Sequence, residues 1–249
     1  MELKNKTILI TGGTSGIGQE LTYQLMDQDN EVIVLARSEH KLRKLERYAR
    51  STGHAAKVYQ CDLSRQHQIE QVVDDIVKHH PNISVLINNA AVQFTPTFIS
   101  DDFDFDSIGF EITTNLTAPM WLTSLLLSGA LLQQDEAVIV NMSSGLAFAP
   151  KTESAVYCAT KAALHNFSQG LRYQLADTPV NVVEVLLPLV ETPMTEGRGT
   201  GKLAAFDVAF DIIKGIEAGH DEIYLGKARL LPWMMRLAPG LIQNILRRS

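Results

Sequence analysis

Apolar runs rich in β-branched residues recur along the whole chain, and all but the last are followed by a stretch of helical periodicity. "TILIT" (7–11), "EVIVLA" (31–36), "AKVYQC" (56–61), "SVLINN" (84–89), "EAVIVNMS" (136–143), "VNVVEVLLP" (180–188) and "DEIYLG" (221–226) read as strands. Helices are predicted near 17–28, 39–52, 66–79, 105–131, 154–176 and 205–218. Strands this continuously apolar are buried on both faces, and strands that alternate with helices pair in parallel. The expected fold class is therefore α/β: a doubly wound parallel sheet of about seven strands with helices on both faces, in three layers. No linker-like shift in composition and no internal repeat interrupts the 249 residues. At that length one domain buries roughly three quarters of its unfolded surface, so a single domain over 1–249 is expected.

The first strand runs into "TGGTSGIG" (11–18), which opens the first helix. Glycines at 12, 16 and 18 would let the backbone turn tightly and approach a pyrophosphate, while free amides and the helix dipole attract its charge. Thr14 and Ser15 add hydroxyl donors. A plain tight turn is the alternative for this segment alone. In its strand–turn–helix setting the pattern points to a Rossmann-type dinucleotide site. Such a fold usually places an acid at the end of the second strand to bind the ribose of NAD. Here Leu35 and Ala36 stand there, followed by Arg37 and Ser38. An arginine suits a 2′-phosphate, so NADP(H) is favoured over NAD(H), unless Arg37 is only a solvated loop cation. Asp62, in "CDLS" after the third strand, either bonds the adenine amino group or caps the next helix, with Ser64 competing for the cap.

"YCATK" sets Tyr157 and Lys161 one helical turn apart, on one face. Model tyrosine titrates near pH 10, and a neighbouring ammonium is expected to pull that value down. The pair alone is weak, since chance supplies about one in every four such chains. Ser144 lies 13 residues before Tyr157, and that offset favours it over Ser143. Serine, tyrosine, lysine and the glycine loop together make coincidence implausible.

TGxxxGIG, NNA, a mid-helix Asn, a Ser and YxxxK, in this order, resemble the short-chain dehydrogenase/reductase family, over nearly the whole chain. The wording "NEVIVLAR" with "GKARLL…APGL" is similar to its DltE-like branch. The resemblance implies an oxidoreductase acting on CH–OH and C=O groups with NAD(P). Tyr157 would be the general acid/base, Lys161 would lower its pKa and bind the nicotinamide ribose, and Ser144 would orient the carbonyl. Asn115 would hold a water linking Lys161 to solvent; without the family it reads equally as an ordinary polar helix residue. Ile17, Leu63, Asn89, Ala90 and Ala91 would pack on the cofactor, Asn88 would tie neighbouring strands, and Pro188, Val190 and Thr192 would hold the carboxamide. Two departures stand out: Ala91 and Leu189 occupy positions where the family usually writes glycine. A non-catalytic NADP(H)-binding regulator is the alternative function, although it would be expected to lose the tyrosine or the lysine. A methyltransferase would want an acid after the second strand, and a sugar-nucleotide epimerase usually needs a longer chain.

Composition narrows the partners. A net charge of −6 without a basic block argues against nucleic acid. No metal site is expected, and the acidic cluster Asp101, Asp102, Asp104 and Asp106 reads as a loop and helix start. Two cysteines, Cys61 and Cys158, fit a reducing cytosol. No signal peptide and no transmembrane segment is expected, which places the chain in the cytoplasm. Residues 193–206, with three glycines, are expected to form a substrate lid, and the apolar-basic tail near 228–249 to pack on the domain or a partner subunit rather than on a membrane surface. "VQFTPTF" and "LAFAPKT" suggest a modestly hydrophobic small-molecule carbonyl or alcohol substrate. Family analogy adds a homodimer or homotetramer.

Overall fold

The computed structural model describes residues 1–247. Seven strands, β1 (Thr7–Thr11), β2 (Glu31–Ala36), β3 (Ala56–Gln60), β4 (Ile83–Asn88), β5 (Ala137–Ser144), β6 (Val180–Leu187) and β7 (Glu222–Tyr224), form one sheet in the order β3-β2-β1-β4-β5-β6-β7. Every ladder is parallel. The principal helices are α1 (Gly16–Met26), α2 (Glu39–Thr52), α3 (Gln66–His79), α4 (Asp106–Ile112), α5 (Ala118–Gly129), α6 (Ala155–Gln174) and α7 (Ala205–Glu217). Two short helices, α8 (Leu231–Leu237) and α9 (Pro239–Leu246), close the chain.

The period of two along each strand divides the core between the two faces. Ile8, Ile10, Val32 and Val34 pack with Leu21 and Leu25 of α1, Leu42 of α2 and Ile212 of α7. Leu9, Ile33 and Leu35 point the other way, against Ile69 and Val73 of α3, Leu122 and Leu126 of α5 and Leu171 of α6. Strand order reverses between β1 and β4, so their carboxyl ends part and leave a crevice.

The helix expected over 105–131 is interrupted. Between α4 and α5, residues Thr113–Thr117 form a π turn in which the Ala118 N–H donates to the Thr113 carbonyl five residues back. Pro119 explains it. With no N–H to offer the Asn115 carbonyl, and a ring that crowds it, the proline widens the helix one turn earlier. The run Asp106–Gln133 is long and apolar enough to cross a membrane by length and composition. Ala118, Leu122 and Leu126 are nevertheless buried against the sheet, the place of a core helix.

The tail is seated on the loop after β5. Ala228, Leu231 and Ile242 cluster with Ala149 and Phe148, and the Thr152 N–H and hydroxyl both donate to the Arg247 carbonyl, at 3.1 and 2.8 Å.

Candidate active site

The glycine loop is held by β2 and by the segment after β4. Gly12 N–H donates to the Leu35 carbonyl (2.8 Å) and Asn89 Nδ2 to the Thr11 carbonyl (2.9 Å). Gly12 and Gly16 take φ of 70° and 53°, the left-handed region that other residues enter with strain. Gly18 serves a different purpose. A Cβ there would lie 2.3 Å from Asn89 Nδ2 and 2.5 Å from the Gly12 carbonyl, so only glycine lets α1 start against the loop. Ser15 is the N-cap of α1 but its side chain makes no capping bond, and the first turn carries no acid. The first-turn amides are thus left for a ligand at the positive end of the dipole, which is the arrangement of an anion site. Gly12, Thr14, Ser15, Gly16 and Ile17 line a cleft of about 330 Å³. Gly18 does not face it and only closes the wall.

Arg37 leaves β2 at one end of this cleft, its guanidinium carbon 5.9 Å from the Phe110 ring centroid. Ser38 and Lys41 stand beside it, the serine hydroxyl capping α2 by accepting the Lys41 N–H at 3.4 Å. Asp62 and Leu63 line the same end. Asp62 Oδ1 accepts the Ser64 N–H (3.0 Å) and hydroxyl (2.8 Å), forming a turn. Neither residue caps α3, whose N-cap is Arg65 without a side-chain bond. Burial pushes the neighbouring Cys61 thiol up to about 11, so it is inert.

Tyr157 and Lys161 enter the cleft from α6, with Lys161 Nζ 5.5 Å from the tyrosine ring centroid. Lys161 is 3% exposed and donates to the Met142 carbonyl at 2.7 Å. Burial lowers its pKa to about 8, against the Glu184 and Glu111 carboxylates, which hold it up. The Tyr157 hydroxyl is shifted up, not down as its spacing from Lys161 suggests. Desolvation outweighs everything else here, with the Ser144 hydrogen bond and the Arg198 charge acting in the opposite direction. Ser144 lies beside the tyrosine but outside the cleft lining, its hydroxyl accepting the Leu146 N–H at 3.2 Å, while Ser143 lines the cleft with a buried hydroxyl that has no partner among the described residues.

Asn115, on the π turn, spends its amide on the segment after β4. Its Oδ1 accepts the Val92 N–H (2.8 Å), and its Nδ2 donates to the Val92 carbonyl (2.8 Å) and Thr160 Oγ1 (3.3 Å). One turn earlier, Glu111 is 1% exposed and accepts the Phe94 N–H at 3.3 Å. Burial lifts its pKa to about 7. Asn88 does tie strands, donating to Asn141 Oδ1 of β5 at 2.9 Å. Asn89, Ala90 and Ala91 line the cleft, with Thr11 Oγ1 accepting the Asn89 and Ala90 amides at 3.0 Å each.

Beyond β6, Thr192, Pro193 and Met194 line the cleft, whereas Pro188 and Val190 stand behind it. Val190 is buried, pairs with Leu203, and its carbonyl accepts the Thr195 hydroxyl. Between Thr195 and Leu203 the chain passes through Gly197, Gly199 and Gly201, all with positive φ. Lys202 Nζ donates to the Thr195 carbonyl, and Arg198 Nη1 crosses to Gln93 Oε1 at 2.8 Å.

A glycine loop with open first-turn amides and the Tyr157/Lys161 pair thus share one cleft at the switch point of a seven-stranded parallel sheet. The sequence model of the short chain dehydrogenases matches residues 6–202. The chain belongs to the short-chain dehydrogenase/reductase family. It is an oxidoreductase of that family, and it is 42% identical over 196 residues to the oxidoreductase DltE of Bacillus subtilis (strain 168), covering 79% of this chain and 76% of DltE. A short-chain dehydrogenase from Sphingobium yanoikuyae, solved with NADPH, superposes with a TM-score of 0.82 at 26% identity over 96% of each chain. One from Burkholderia phymatum, solved with NAD, gives 0.86 at 20% identity over 100% of this chain and 97% of that one, a likeness of fold.

Against the family pattern, the two departures are absorbed locally. Ala91 is not among the residues with positive φ, so its backbone does not require a glycine. Leu189 turns away from the cleft toward the segment between Thr195 and Leu203. A Cβ on Gly199 would fall 2.4 Å from Leu189 Cδ2, so the leucine fills the space that this glycine leaves open. Ser38, Lys41, Phe110 and Glu111 were missed in the sequence. "RSEHK" held a signal for two of them, because Lys41 sits one turn into the helix that Ser38 caps.

Proposed function

We propose that the protein is an NADP(H)-dependent oxidoreductase that interconverts a carbonyl and an alcohol, with Tyr157 as general acid/base. The observation that carries this reading is that Tyr157 and Lys161 line the cleft that begins at the glycine loop, with Ser144 beside the tyrosine. The open first-turn amides of α1 fit a pyrophosphate, and Arg37, Ser38 and Lys41 fit a 2′-phosphate, which favours NADP(H) over NAD(H). Bound there, the dinucleotide supplies or takes up the hydride. Tyr157 gives its proton to the substrate oxygen in reduction and recovers it in oxidation. Ser144 holds that oxygen and steadies the phenolate by its hydrogen bond. Lys161, anchored on Met142, keeps further donors that would hold the cofactor ribose, and Asn115 fixes the Val92 segment. Nothing favours a regulator without turnover. A homo-oligomer is supported by the apolar seam of Ile108, Ile112, Leu116 and Ala159 between α4 and α6, and a cytoplasmic location by two free, buried thiols.

The test is an NADPH-oxidation screen over aldehydes, ketones and quinones, with Tyr157→Phe as control. We expect the variant to lose about a thousandfold in turnover while its NADPH affinity stays within a few fold. Retained activity would remove Tyr157 from the mechanism. Arg37→Asp should reverse the preference between NADPH and NADH, and an unchanged preference would point to another phosphate ligand.

A further inference from the structure

We propose that Arg198 is the receptor for an anionic end of the substrate, and that the substrate is an oxo acid: a carbonyl compound with an apolar body and a carboxylate. The inference rests on the reductase reading of the cleft. Arg198 is half-buried on the lid, and its guanidinium crosses to the segment after β4, next to the cleft-lining Val92, by donating to Gln93 Oε1 at 2.8 Å. It stands near enough to the Tyr157 hydroxyl for its charge to favour the phenolate. Among the described residues no carboxylate pairs with it, and Gln93, being neutral, orients the guanidinium without compensating its charge.

The cations that line the cleft are accounted for. Lys161 has the Glu184 and Glu111 carboxylates nearby, and Arg37 and Lys41 stand at the 2′-phosphate end. A partly shielded guanidinium without a counter-charge is free to take an anion brought by a ligand. The only other lid cation, Lys202, is turned back onto the Thr195 carbonyl. One planar fork and no second cation match a singly charged carboxylate, which accepts two parallel hydrogen bonds, better than a phosphate dianion. The half-exposed Phe94 ring, next to Gln93 in the chain, supplies an apolar surface for the body.

The experiment compares ω-oxo carboxylates of four to ten carbons with their methyl esters as oxidants of NADPH. We expect kcat/KM to favour the acid about tenfold or more. In Arg198→Gln that ratio should fall to near one, and in Arg198→Lys to an intermediate value, since the charge remains but the fork is lost. No preference in the wild type, or one that survives in Arg198→Gln, overturns the proposal. A second arm titrates the NADPH complex with unreactive hexanoate, hexanamide and hexyl phosphate, followed by cofactor fluorescence. Hexanoate should bind, hexanamide should not, and Arg198→Gln should lose the difference. Tighter binding of hexyl phosphate than of hexanoate would overturn the carboxylate assignment. Turnover of neutral aldehydes without hexanoate binding sinks the oxo-acid inference and leaves the reductase standing. Arg198-dependent hexanoate binding with no carbonyl reduced sinks the reductase reading and keeps the anion site.

Discussion

The two sides of the cleft are built by different means. On the glycine-loop side, backbone meets backbone and rigid amide with no clearance: a single added carbon at Gly18 would sit 2.3 Å from Asn89 and 2.5 Å from the Gly12 carbonyl. On the lid side, the chain between Thr195 and Leu203 is held by a few side-chain contacts: Lys202 to Thr195, Arg198 to Gln93, and Leu189 under Gly199. Close-packed backbone fixes a shape that every substrate can share. Side-chain tethers across glycines with positive φ permit opening, and they let substitutions retune what enters. The contrast matches the division of labour in the proposed reaction, where one side grips an invariant phosphate and the other selects a substrate.

The largest expected effect comes from closing the tight side. Gly18→Val should cost about 3 kcal/mol of packing strain and weaken NADPH binding at least about tenfold, since Asn89 and the loop carbonyl cannot both retreat. Gly18→Ala should move in the same direction by less. Thermal melting and NADPH fluorescence titration read both, and a Gly18→Ala protein with unchanged melting and affinity would show that this wall has slack.

A middle-sized effect lies at the seam. Burial brings the Lys161 ammonium down to about 8 in the folded chain from 10.5 for a free lysine, so between those values the unfolded chain binds more protons and stability rises with pH. The penalty is fully present below pH 8 and amounts to about 3 kcal/mol at most. Urea unfolding at pH 8 and 10.5 should show the wild type gaining on Lys161→Met across that window. Parallel behaviour of the two proteins would mean that the ammonium keeps its hydration.

The same contrast explains what could be read in the chain before its structure. The glycine loop and the Tyr157/Lys161 pair act over a few residues of sequence, so their spacing is their geometry. Strand alternation likewise carried the sheet, including both faces of β1 and β2. Tertiary neighbours were not legible. Glu111 reaches Phe94, Asn115 reaches Val92, and Leu189 reaches Gly199 only because the fold brings distant segments together. The π turn had a local sign that went unused, since Pro119 stands four residues after Asn115 within an otherwise helical run. The Tyr157 shift failed for a related reason. Spacing reveals a neighbouring charge but not the depth of burial, and depth decided the direction.

The smallest effect should come from loosening the lid. Leu189 is 36% exposed and rests on a glycine, so Leu189→Ala removes a contact that is already half in water. A stability change of about 1 kcal/mol or less is expected, well below the 2–5 kcal/mol of a buried leucine, and NADPH affinity should stay within about twofold. What should change is how often the lid opens. Arg198 and Lys202 lie on it, so limited trypsin digestion of the NADPH complex should cut there several-fold faster in the variant, because cleavage follows the population of the open form. Equal cutting rates would show that the Arg198–Gln93 and Lys202–Thr195 tethers hold the lid without Leu189. A collapse in NADPH affinity would show instead that the lid side is as tightly coupled to the cofactor as the glycine loop.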